Sequence, residues 1–131
     1  MSDEQALIER LADVPAIDVR LALRHLAWQV VVVERTLRHV AAEYGSGVPG
    51  LSEVDGVGDG EGGSERGRRC ARACHSLRGA LALIGAVDLA ARAERLEDDI
   101  ATGLPDGPRR ARAAGLDADV RALAGQLAER L

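Results

Sequence analysis

From Val30 onward the apolar positions recur at intervals of three and four, and this rhythm organises most of the chain. Val30, Val33, Leu37, Val40 and Tyr44 fall on one helix face. The run from Val30 to Val33 favours a strand when taken alone, but the longer spacing predicts a helix that stops at Gly45. Cys70, Cys74, Leu77, Leu81 and Ile84 make a second stripe, on a helix expected to start at a Ser64 cap and to end at Gly85. Leu89, Ala93, Leu96 and Ile100 make a third, with Asp88 as its cap and Gly103 beyond its end. Leu104-Pro105-Asp106-Gly107-Pro108 reads as a turn, and Leu116, Val120, Leu123, Leu127 and Leu131 form the last stripe. Ahead of these, Ser2 with Gln5 three residues on reads as a capping box for a short helix to about Leu11. Pro15 then breaks the chain, and Asp18 can cap another short helix ending near Leu26. Four long single-striped helices after two short ones predict an all-α fold, an antiparallel four-helix bundle. No internal repeat is visible.

The segment from Gly45 to Gly63 breaks the rhythm. Eight of its 19 residues are Gly, and its four charges, Glu53, Asp55, Asp59 and Glu61, are all negative. Such a stretch offers too little apolar surface to offset the entropy of ordering it, which predicts a mobile loop within a single domain spanning 1–131. The acidic spacing does not fit a calcium loop. Because Arg66, Arg68, Arg69 and Arg72 follow, the loop is expected either to act as a passive linker or to lie transiently over that cationic helix.

Composition narrows the class. A length of 131 residues suits one domain, and 47% hydrophobic with 29% charged residues reads as globular and soluble. No apolar run approaches the ~20 residues that span a bilayer, and Met1 to Arg10 carries Asp3, Glu4 and Glu9 without a signal core, so a cytoplasmic, freestanding protein with no membrane partner is expected. A net charge of -4 speaks against a nucleic-acid partner. All 17 basic residues are Arg, and Phe is absent, so the core is expected to consist of Leu, Val, Ile and Ala. Two cysteines do not make a disulfide framework.

The candidate chemistry lies on the Cys70–Ile84 helix. At about 100° per residue, His75 points opposite the middle of the apolar stripe, towards solvent. Arg68, Arg72, Gly79 and Ala82 share its side, Arg78 flanks it, and Ser76 follows it. A neutral imidazole is a nucleophile near pH 7, because an unperturbed His titrates at about 6.5. Arg78 and Arg72 can offset the charge of a phosphoryl group. Gly79 removes bulk beside the ring, and a Gly inside a helix costs about 1 kcal/mol relative to Ala, which asks for a reason.

Ala73-Cys74-His75-Ser76-Leu77-Arg78-Gly79 resembles the phospho-acceptor motif of histidine-phosphotransfer (HPt) domains, usually His-x-Leu-Lys-Gly. The similarity continues through Gly85-Ala86, Leu89-Ala90, Ala93 and Leu96-Glu97, and more weakly through Ile17 to Leu26 and Glu34 to Gly45. The resemblance implies a helical bundle without kinase activity of its own. It implies His75 as the phosphorylated residue, Arg78 in place of the usual Lys as the charge stabiliser, and Gly79 as the point of approach. Arg68, Arg72, Ser76 and Ala82, near His75 on the same helix, are the candidate binding residues. The implied partners are a response-regulator receiver domain, which would bring Mg²⁺ and the acidic pocket, and a hybrid sensor histidine kinase. No cofactor or metal is expected on this chain itself, and a monomer is expected. Two rival readings are a degenerate bundle that binds a receiver or kinase without carrying phosphate, and a metal or thiol sensor using Cys70 and Cys74; both cysteines lie on the apolar stripe, where a small buried Cys is the ordinary reading. His25 and His39 have no acid, Cys or Ser arranged around them, Glu94, Glu97, Asp98 and Asp99 read as a solvated helix face, and Trp28 reads as packed.

Overall fold

The computed structural model describes residues 2–52 and 62–131, with side chains from Glu65 onward in the second stretch. Two short helices, α1 (Asp3–Arg10) and α2 (Val19–His25), precede four long ones, α3 (Val30–Tyr44), α4 (Gly62–Leu83), α5 (Val87–Ala101) and α6 (Asp106–Arg130). The described residues contain no strand. The long helices form the predicted all-α, antiparallel four-helix bundle, and cross-helix pairs show the direction. His75 and Arg78 of α4 meet Glu97 and Glu94 of α5, while Arg92 and Asp99 of α5 meet Asp119 and Arg112 of α6. In each case the number rises on one helix as it falls on the other. Arg38 of α3 donates to the carbonyl of Leu131 (2.8 Å), which sets α3 against the end of α6.

The predicted stripes are the core. Cys70, Cys74, Leu77, Leu81 and Ile84 are fully buried, as are Val33, Leu37, Ala93, Leu96, Leu116, Val120 and Leu127 to within a percent or so. Ser2 and Asp18 cap α1 and α2 as expected, accepting from the backbone N–H groups of Gln5 and Leu21 at 3.1 Å each. Three boundaries differ. Ser64 lies inside α4, which begins at Gly62. Asp88 sits in the first turn of α5 without capping it; Ala86 is the cap residue, and the Asp88 charge there still suits the positive helix end. The Leu104–Pro108 stretch is a turn only as far as Pro105, because α6 starts at Asp106. Pro108 fits within that first turn because N–H groups there have no helical partner to lose.

The expected mobile loop needs correcting in its first half. Val48 and Leu51 are buried in the core, and the Val48 N–H donates to Asp117 Oδ1 (2.7 Å), a carboxylate that is itself buried on α6. Two apolar side chains and one strong charge-assisted bond suffice to hold residues 45–52 against the bundle. Glu53, Asp55, Asp59 and Glu61, on which the linker-or-cover question turned, lie outside the described residues.

The α4–α5 turn is closed by Gly85 at φ +79°. Its N–H donates to Ala82 O (3.1 Å) and the next N–H, of Ala86, to Leu81 O (2.8 Å), which satisfies two carbonyls at the end of α4. The carbonyl of Gly85 in turn accepts from the Asp18 N–H (2.9 Å), so α2 is tied to the same turn. A Cβ on Gly85 would stand 2.2 Å from Asp18 O. Gly85→Ala is therefore expected to lower the unfolding free energy by about 2–4 kcal/mol in denaturant titrations. Gly79→Ala, where an added Cβ meets nothing within 4 Å, should raise it by about 1 kcal/mol. Equal midpoints for the two variants would contradict this account.

Candidate functional site

His75 sits three turns into α4, with the core stripe behind it and a side chain that is 64% exposed. The helical phase that buries Cys74 and Leu77 leaves the two residues between them, His75 and Ser76, pointing outward. Beside it runs a groove of about 470 Å³ between α4 and α5, lined by His75, Arg78, Gly79 and Ala82 from one helix and Val87, Ala90, Ala91 and Glu94 from the other. Small residues on both walls keep it open.

The ring is held from the α5 side. His75 Nδ1 lies 3.0 Å from Glu97 Oε2. A carboxylate can only accept, so this contact puts the proton on Nδ1 and leaves the Nε2 lone pair free. Arg78 Nη2 is also 3.4 Å from Nδ1. Nδ1 cannot both donate to the carboxylate and accept from the guanidinium, and the shorter contact to the carboxylate sets the tautomer. Arg78 instead neutralises the carboxylates: its Nε is 3.2 Å from Glu97 Oε1 and its Nη1 is 3.7 Å from Glu94 Oε2. Glu97 Oε1 is buried, and its contact with Arg78 lacks the angle of a hydrogen bond. The guanidinium is thus held by charge more than by direction, and its long stem leaves it able to turn towards Nε2.

Glu97 was read from the sequence as part of a solvated face, and that reading is corrected. It is only 25% exposed and bridges both His75 and Arg78. The signal was available in the antiparallel pairing of α4 with α5, which sequence spacing alone does not register. Arg68 and Arg72 are also placed differently. They lie on the His75 side of α4, but each guanidinium pairs with Glu65 of the same helix, at 3.1 and 3.7 Å. Ser76 and Ala82 are exposed, and Ala82 lines the groove.

The other candidates separate clearly. Cys70 and Cys74 are fully buried thiols. A hydrogen bond between them and the loss of solvent push the Cys74 thiol far above its ordinary range, so it forms no thiolate for metal or redox chemistry at neutral pH. No group of metal-ligating side chains occurs among the described residues. His39 pairs with Glu43 on its own helix (3.2 Å), and His25 Nδ1 lies 3.3 Å from the carbonyl of Leu83. Trp28, expected to be packed, is 46% exposed. The turn into α3 holds both Ala27 and Trp28 at positive φ and swings the indole outward.

An exposed imidazole on the first helix of an antiparallel pair, over a groove of small residues, makes a helical bundle with an open surface site and not a closed pocket. The family model of the Hpt domain matches residues 51–131, and the chain belongs to the Hpt domain family. That match spans α4, α5 and α6, while α1 to α3 precede it. No curated protein and no solved structure matches the chain. Hpt domains serve phosphorelays by histidine phosphotransfer, with receiver domains and kinases as partners, and act as carriers more than as enzymes. None of the described helices is long and apolar enough to cross a membrane.

The Glu97 contact has a direct spectroscopic consequence. In Glu97→Gln the amide can donate as well as accept, so the fixed tautomer should be lost. Ring ¹⁵N shifts of His75 should move from a dominant Nδ1–H form towards a mixture. Identical spectra for the two proteins would mean that Glu97 does not set the tautomer.

Proposed function

We propose that this protein is a phosphorelay carrier in which Nε2 of His75 takes a phosphoryl group from the aspartyl phosphate of one receiver domain and returns it to another, with a hybrid sensor histidine kinase at the head of the relay. The observation that carries this reading is the exposed imidazole whose Nδ1 is 3.0 Å from Glu97, which leaves Nε2 as the ring's free nucleophile beside the groove that His75 lines. In the forward step the Nε2 lone pair attacks phosphorus, the acyl P–O bond breaks, and the receiver's aspartate leaves as a carboxylate. The ring keeps its Nδ1 proton and becomes positively charged, and the Glu97 carboxylate beside it offsets that charge. No proton has to be removed, so no general base is needed. Phosphoryl transfer of this kind depends mainly on positioning and charge. The acidic pocket and Mg²⁺ belong to the receiver.

Arg78 supplies the cation, and Gly79, with open space over its α-carbon, lets the receiver approach. Arg68 and Arg72, paired with Glu65, are expected to contribute to the field around the site more than to contact the phosphoryl group.

Incubation with purified, phosphorylated receiver domains, followed by mapping of acid-labile phosphate, tests the assignment. His75→Gln should abolish labelling and keep the helical circular dichroism. Phosphate on another residue would refute the assignment, and receiver binding without any transfer would favour an adaptor instead. Arg78→Ala should slow transfer about tenfold, the equivalent of one charge-assisted hydrogen bond, with Arg78→Lys retaining most of the rate. Gly79→Gln should weaken receiver binding in calorimetry while stabilising the free protein; undiminished affinity would remove the steric role.

A further inference from the structure

Two charged side chains are buried among the described residues, Asp117 and Arg109. Asp117 is matched: it accepts from the Val48 N–H and lies 3.4 Å from Arg121 Nε. Arg109 is not. Its side chain is only 2% exposed, and its Nη2 reaches Asp106 Oδ1 at a long 3.4 Å. Its Nε–H has no hydrogen-bond partner among the described residues. Asp106 itself stands about half in solvent, three residues earlier on the same helix. A buried guanidinium with one weak contact and an unused donor is costly, and buried groups of this kind are ordinarily paired.

Arg109 forms part of the wall of a cavity of about 430 Å³. The cavity lies at the end of the bundle away from the Gly85 turn, where the early turns of α4 meet the connection from α5 to α6. Arg68 brings a second guanidinium to this wall from α4, and Ile100 and Leu104 give it an apolar side. Gly103 also lines it, and a Cβ there would meet nothing within 4 Å, so the rim is open. The bond from Arg68 to Glu65 (3.1 Å) joins two exposed side chains and is readily exchanged. Asp106, on the same wall, is the first residue of α6. The cap residue of α6 is Pro105, and no side chain accepts from the first N–H groups. The positive end of a 25-residue helix is therefore presented uncapped at the cavity.

A buried cation with a free donor, a second cation from another helix and a helix N-terminus converge on one hollow. That set suits a tetrahedral anion, whose several acceptor oxygens can serve two guanidinium groups at once. We propose that this cavity binds a phosphate group, free or as a small phosphate monoester, between Arg109 and Arg68. The Asp106 carboxylate is the resident competitor, loosely held at 3.4 Å, and it turns to solvent when the anion enters. The site is distinct from the phosphoryl chemistry at His75, since Arg68 precedes His75 by seven residues, about 10 Å along α4. An anion held there joins the early part of α4 to the start of α6 and stabilises the folded chain by mass action.

The test uses the full chain and inorganic phosphate, followed through the side-chain Nε–H resonance of Arg109 in ¹H–¹⁵N spectra, with chloride at matched ionic strength as control. Phosphate should shift that resonance saturably in the millimolar range, and chloride should not. Arg68→Gln should raise the Kd about tenfold, the loss of one charge-assisted hydrogen bond. Asp106→Asn should lower it about threefold, the scale of one exposed ion pair, because the competing carboxylate is gone. Arg109→Leu should abolish binding, and if that variant fails to fold, the variants at the two exposed positions decide. Tighter binding of glycerol 3-phosphate than of phosphate would assign the site to an ester resting on Ile100 and Leu104, and the reverse order to free phosphate; either upholds it. No saturable shift, an equal shift with chloride, or Kd values unchanged in both Arg68→Gln and Asp106→Asn would overturn it. So would an equal shift of the resonance in Glu61→Gln without phosphate, which would give Arg109 a carboxylate of this chain as its partner.

Discussion

The pairing of α4 with α5 through the Gly85 turn governs both the core and the site. The turn reverses the chain within three residues, and its left-handed glycine closes the carbonyls at the end of α4. That reversal fixes the register in which residue numbers on the two helices sum to a constant. His75 then faces Glu97, Arg78 faces Glu94, and Cys74 and Leu77 fall inward beside Ala93 and Leu96. A one-residue slip would move every one of these partners by about 100° round its helix. The same carbonyl that ends the turn holds Asp18, so the position of α2 is also set by this glycine.

The site is built from charges that are individually weak. Exposed ion pairs contribute at most about 1 kcal/mol, and Arg92–Asp119, Arg112–Asp99 and Arg130–Asp13 are all partly exposed. Even the two-pronged Arg130–Asp13 contact, which holds the Asp13 carboxyl below its ordinary range, stands in solvent. Such pairs set direction and register more than they add stability. At His75 the same economy has a chemical use. On the proposed reading, burial of the ring would discourage a cationic phosphohistidine, whereas an exposed ring with one partly shielded carboxylate would tolerate it.

Much of this was legible in the sequence because apolar period and glycine stops are local signals. The core stripes of α3 to α6, the caps at Ser2 and Asp18, and the stops at Gly85 and Gly103 follow from spacing and residue type. What was missed is non-local. The hold of Asp117 on Val48 joins residues 69 apart in the chain, and it turned part of an expected loop into packed structure. Glu97 became a site residue only through helix pairing. The end of α2 near Leu26 was legible, but the way it closes was not: Ala27 and Trp28 make the same pair of closing bonds as the Gly85 turn, from Ala27 to Arg24 O and from Trp28 to Leu23 O, without a glycine to announce them. The motif around His75 was readable as a pattern, while the orientation of its ring was not.

The choice of Arg at position 78 follows from the same geometry. Three nitrogens of one planar group reach three different partners, with Nε near Glu97, Nη1 near Glu94 and Nη2 near His75. A lysine ammonium carries its charge at one point and cannot span that set. In a chain without Lys, the replacement looks at first like a by-product of composition. Here the fork gives the residue two tasks at once. At rest it offsets two carboxylates, which on the proposed reading would otherwise repel an incoming phosphoryl group, and because its contact with Glu97 Oε1 lacks hydrogen-bond alignment, little directional bonding would be lost if it turned. The carboxylate that orients the ring and the cation that, on the proposed reading, would meet the phosphoryl group are thus stored against each other across the α4–α5 pair.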